Sequence, residues 1–81
     1  FRGWNLAGAR LDKLDLTWAD FRGASLVGVS FHEACLDGAD LSRADLRGAD
    51  FTEASLRGAV LRGARLEGIK LHKVDLREAL I

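Results

Sequence analysis

Three groups of side chains in this 81-residue sequence have residue types that could do chemistry. Asp12, Ser30 and His32 are the types of a hydrolytic triad. His32, Cys35 and His72, with Glu33 beside them, are the types that bind zinc. Arg57, Arg62, Arg65, Lys70, Lys73 and Arg77 gather six cations near the end of the chain. Residue type alone is not enough for any of these chemistries. A triad needs a pocket, an oxyanion hole and a base oriented by a buried carboxylate. A zinc site needs three or four donors converging about 2 Å from one point. A surface that binds single strands interleaves basic groups with aromatic ones, and no Phe, Tyr or Trp lies between Arg57 and Arg77. The elements that carry the residues decide whether these conditions are met.

Those elements follow a period of five. Every fifth residue from Phe1 to Ile81 is Leu, Phe or Ile. Two positions earlier runs a second apolar register, eleven of whose sixteen members are Ala. Its exceptions are Trp4, Leu14, Val29, Ile69 and Val74. The slot between the registers is short and polar in most repeats, as in Asn5, Asp15, Asp20, Ser25, Asp40 and Asp45. All nine glycines stand two residues after a Leu/Phe position. A step of five fits neither regular element. On an α-helix it carries the Leu set round the whole cylinder, and on a long strand it flips faces at each repeat. Within one repeat the two apolar residues are two apart and point the same way. Each repeat is therefore a very short extended side followed by a corner, with glycine where a type II turn needs positive φ. Stacked coils of such units bury both registers inside a solenoid.

The most regular stretch, Ala39-Asp40-Leu41-Ser42-Arg43-Ala44-Asp45-Leu46-Arg47-Gly48-Ala49-Asp50-Phe51, resembles the A(D/N)LxG pattern of the pentapeptide repeat family. About sixteen repeats run in phase without an insertion. The resemblance implies an all-β fold, a right-handed quadrilateral β-helix with 20 residues per coil. That gives about four coils and a body roughly 20 Å long at a stacking rise of ~4.8 Å. Sorted by twenties, Phe1 and Phe21 share one column, and Phe31 and Phe51 stack on another. One corner reads Gly8, Gly28, Gly48, Gly68. Another reads Lys13, Glu33, Glu53, Lys73, where turns without positive φ are expected. Trp4 is expected to plug one end of the bore. The column Asp20, Asp40, Val60, Leu80 drifts from acidic to apolar. Residues 1–81 read as one module, a piece of a longer protein.

On this scaffold the chemical candidates lose ground. Asp12, His32, Thr52 and His72 form an outward column on a flat, solvated face, which supplies no oxyanion hole. The corner of Glu33 is expected to point away from His32, and Cys35 reads as a small residue in the polar slot. No catalytic residue, metal site or cofactor is assigned, and the chain is read as a non-enzyme. The residues singled out for partner contact are Trp18, Val60, Leu80, Ile81, Arg57 and Arg77. Trp18 has a second reading, an indole lying over Gly38 of the next coil. Formal net charge is zero, which argues against a strongly basic DNA binder and against an acidic nucleic-acid mimic. Charge is nonetheless dipolar: nine acids and six bases over residues 1–53, three acids and six bases over 54–81. The leading reading is a non-catalytic scaffold that docks to a protein partner or a neighbouring domain, with end-to-end self-association as one form of it. The family resemblance adds an alternative, a DNA-mimicking binder of DNA gyrase. The third reading is nucleic-acid contact through the basic C-terminal half. No apolar run approaches the roughly 20 residues of a membrane span, so no membrane contact is expected. One cysteine cannot form an internal disulfide, no targeting signal is seen, and the cytoplasm is the default location.

Overall fold

The computed structural model describes residues 1–81 throughout and measures 25 × 22 × 20 Å. Its organising contact is a parallel bridge between residue n and residue n + 20. These bridges run from Asn5–Ser25 and Arg10–Ser30 through to Ser55–Asp75 and Val60–Leu80. Four pentapeptides separate bridged residues, so each coil has four sides, and each side contributes a single bridging residue. The backbone satisfies itself by two ladders and a turn. Leu/Phe and corner N–H groups donate to the following coil, as in Leu26 N to Asp45 O (2.8 Å) and Gly28 N to Arg47 O (2.9 Å). Slot N–H groups donate to the preceding coil, as in Asp45 N to Ala24 O (2.9 Å). The Ala-register N–H closes each corner onto the Leu/Phe carbonyl three residues back, as in Ala44 N to Leu41 O (3.1 Å).

This scheme leaves one donor per repeat, the N–H after the Leu/Phe position, without a backbone partner. The polar slot provides it. The slot carboxylate accepts the N–H two residues on in Asp15–Thr17 (3.1 Å), Asp20–Arg22 (3.1 Å), Asp40–Ser42 (2.9 Å), Asp50–Thr52 (2.9 Å) and Asp75–Arg77 (3.1 Å). Asn5 does the same for Ala7 (3.2 Å). These are Asx-turns, which explains why the slot prefers Asp or Asn rather than any polar residue.

The core is the pair of apolar registers. Phe21, Leu26, Phe31, Leu36, Leu41, Leu46, Phe51 and Leu56 are fully buried, alternating with buried Ala24, Ala34, Ala39, Ala44, Ala49, Ala54 and Ala59. Small and large residues interdigitate, so the bore is filled rather than hollow. The aromatic columns stack: Phe1 on Phe21 at 5.0 Å between ring centroids and Phe31 on Phe51 at 4.8 Å, each 12° from parallel. Phe21 also meets Phe31 edge-on at 6.0 Å, tying two columns together across the bore. Trp4 stands edge-on to Phe1 at 5.2 Å but remains exposed, so it lies against the end of the bore without closing it.

One expectation is corrected. The glycine-free corner also has positive φ: Lys13 at 62°, Glu33 at 59°, Glu53 at 61° and Lys73 at 57°. Trp18, Arg43 and Glu78 share this conformation on other corners. The reason is the ladder. A corner must return the chain to the register of the coils it is hydrogen-bonded to, and Glu33 N donates to Thr52 O like any glycine in its place. Coil geometry therefore imposes the left-handed conformation on residues that disfavour it by about 1 kcal/mol or more each.

Candidate functional site

The triad-like group is a turn cap. Ser30 replaces Asp in the polar slot and cannot accept the His32 N–H in the usual way. Asp12 of the preceding coil takes over: its Oδ1 accepts the His32 backbone N–H at 3.2 Å and also the Ser30 hydroxyl. Asp37 and Ser55 repeat the device, with Asp37 Oδ1 accepting the Ser55 hydroxyl and the Arg57 N–H at 3.1 Å. The hydrogen bond from Ser30 holds the Asp12 carboxyl below the usual carboxylate range. The His32 ring faces Glu33, with Nε2 2.9 Å from Oε1. Asp12 thus orients backbone and serine, and the His32 imidazole addresses Glu33 rather than Ser30.

The ring contact corrects the second expectation, that Glu33 points away. His32 and Glu33 are the two central residues of one turn, so their side chains leave it together. Glu53 follows one coil on, and donor atoms of His32, Glu33 and Glu53 all lie within 4.8 Å of one another. Cys35 and His72 are outside this group. The Cys35 sulfur lies 3.4 Å from the Thr17 hydroxyl. Three donors on an open corner, with no buried polar partner to fix them, do not by themselves assign a metal.

The residues expected to meet partners lie apart. Trp18 is 79% exposed and lies flat over Gly38: a methyl group built on Gly38 would fall 2.5 Å from Trp18 Cε3. Val60 is half-buried and bridges Asp40 to Leu80, while Leu80 and Ile81 are 47% and 73% exposed. Arg77 forks onto Asp75, with Nη2 2.7 Å from Oδ2, and Arg57 Nε lies 3.9 Å from the same oxygen. The Arg77 hydrogen bonds pull the Asp75 carboxyl down to about 2. Two of the six clustered cations are thereby shared with one acid.

The sequence reading missed a different basic group. Arg2, Gly3, Arg22, Gly23, Ser42 and Arg43 line a concavity of about 400 Å³ with no apolar residue in its wall. The signal is visible in the twenty-residue sort. One column reads Arg2, Arg22, Ser42, Arg62, and the corner beside it reads Gly3, Gly23, Arg43, Gly63.

Comparison with known proteins places this geometry. The family described as pentapeptide repeats matches in eight copies over residues 1–38 and 39–78. The chain belongs to the pentapeptide repeat family. Pentapeptide repeat proteins fold as right-handed quadrilateral β-helices, are generally non-enzymatic, and no catalytic family is indicated for this one. It is similar to HetL, a pentapeptide repeat protein involved in heterocyst differentiation regulation from the cyanobacterium Nostoc sp. strain PCC 7120. The two are 37% identical with a TM-score of 0.58, over 88% of this chain and 38% of HetL. It is also similar to alr5209, a pentapeptide repeat protein from Nostoc PCC 7120, at 36% identity and a TM-score of 0.56, over 85% of this chain and 61% of alr5209. This chain thus matches less than two thirds of the length of either relative. No curated protein matches the sequence.

Proposed function

We propose that this pentapeptide repeat chain is a non-catalytic scaffold of four coils that binds protein through the ends of its β-helix. The observation that carries this reading is the state of the outer coils. The Leu66, Gly68, Leu71, Lys73 and Leu76 N–H groups are the ladder donors that a coil following residue 81 would accept. Leu71, Leu80 and Ile81 are exposed at the same end, and Phe1, Trp4 and Leu14 at the other. Unpaired ladder beside apolar cross-section is a template for a further strand, from a neighbouring segment or another protein. The reading fits relatives in which more chain accompanies the matched part. The other two readings draw less support. Asp20 and Asp40, the start of an acidic ladder, are tied to Arg22 and Ser42, and the basic half shares Asp75 between Arg57 and Arg77. Sedimentation velocity of residues 1–81 tests the proposal. Reversible self-association is expected as concentration rises, and Leu80→Asp should suppress it. A monomer at all concentrations, or association indifferent to Leu80→Asp, would overturn it.

A further inference from the structure

The concavity at the Arg2–Arg22–Arg43 corner has the chemistry of an anion receptor. It is lined by three arginines, a serine and two glycines. Gly3 and Gly23 leave open space where side chains would stand, with nothing within 4 Å of a Cβ built on either. Arg43 occupies the next position of that glycine corner, in the left-handed conformation at φ 58°. Its Cγ lies across Gly63, 3.1 Å from where a Cβ would be there. The chain thus puts a cation where the column otherwise carries glycine, at a conformational cost that the fold does not require.

The charges do not cancel within the group. Arg22 spends Nε and Nη2 on Asp20, at 2.9 and 2.7 Å. Asp40 accepts the Ser42 N–H at 2.9 Å and the Ser42 hydroxyl at 2.5 Å, with Arg22 Nε 4.0 Å from its other oxygen. Both nearby acids are therefore already hydrogen-bonded, and Arg22 is their partner. Arg2 and Arg43 form no ion pair. They belong to coils two apart, roughly 10 Å at a rise of ~4.8 Å per coil, and both residues line the concavity. Two arginines without ion pairs on the lining of one concavity match an oxyanion with several acceptor oxygens.

We propose that Arg2 and Arg43, with Arg22 between them, form a binding site for the phosphate or diphosphate group of a small hydrophilic ligand. The site lies away from the exposed apolar groups at Leu80 and Ile81 and goes beyond the scaffold reading. Arg43→Gly is the variant of choice, because it restores the residue the column otherwise uses and relieves left-handed strain rather than creating it. Calorimetric titration of the chain with inorganic phosphate and with pyrophosphate, at low ionic strength, is expected to show saturable binding, tighter for pyrophosphate. Arg43→Gly and Arg2→Gln should each weaken it at least tenfold with no fall in melting temperature, while Arg57→Gln leaves it unchanged. No saturable binding, equal affinity for acetate and phosphate, or retention of affinity in both corner variants would overturn the assignment.

Discussion

Glu33 and Glu53 show how far a residue can be overruled by its position. Neither is a left-handed residue by preference, yet each sits at φ near 60° because the backbone on both sides is fixed by hydrogen bonds to neighbouring coils. The conformation is an energetic liability that glycine removes. Glycine also frees the unfolded chain, which takes back part of the gain. The balance favours glycine: Glu53→Gly should stabilise the fold by about 0.5 kcal/mol, read as a higher urea midpoint at unchanged slope. An unchanged or lower midpoint would mean that the Glu53 side chain contributes more than its contacts indicate. Turn type was misread from the sequence at this corner because glycine was taken as the cause of positive φ. Glycine is a consequence, selected where the coil demands that conformation and absent where some other side chain is kept.

At the scale of one side of a coil, the recurring unit is the slot carboxylate and the turn it caps. Hydrogen bonds from the residue two positions on lower the carboxyls of Asp15, Asp20, Asp45, Asp50 and Asp75 below the ordinary range, with side-chain donors the largest cause in each. A carboxyl whose folded pKa is below its unfolded value stabilises the fold when ionised. That contribution is complete above the unfolded pKa of about 3.9 and disappears as pH falls through the folded value. The urea midpoint should therefore hold down to about pH 5 and decline between about pH 4 and pH 2. Asp75→Asn should flatten part of that decline, since Asp75 titrates at about 2. A midpoint that rises on acidification would contradict the assignment. The slot pattern itself was legible from residue type alone. Its substitutes were not: Asp12 serving Ser30, and Asp37 serving Ser55, join residues eighteen apart. Such pairs appear only when coils are laid side by side. The Arg2–Arg22–Arg43 corner was overlooked for the same reason, Arg43 standing one slot further along its repeat than Arg2 and Arg22.

Across the whole molecule, the core is one continuous column built from both apolar registers. Both its registers, and the stacking of Phe1 on Phe21 and Phe31 on Phe51, could be read from position modulo twenty, because a filled bore tolerates only apolar residues. Leu46 lies in the middle of that core, fully buried. An aspartate there would place an unpaired carboxylate among Leu and Phe side chains, a cost of several kcal/mol. That cost is comparable to the stability of a small domain. Leu46→Asp should thus lose the circular dichroism signature and the cooperative melt of the parent at neutral pH. A variant that melts like the parent would place this register on the outside.

The bridge of each residue to its counterpart twenty positions on also governs how the fold can be reached. Apart from the corner bonds, every backbone hydrogen bond spans about a quarter of the chain, so only the corners and the slot caps are local. The first pair of coils must close a loop of twenty residues before any ladder forms, an entropic barrier with little to offset it. Each later coil lays itself on an existing edge and gains its bonds as it goes. Refolding should have a slow start and quick growth, with a rate set by the first closure and little changed by lengthening the rod.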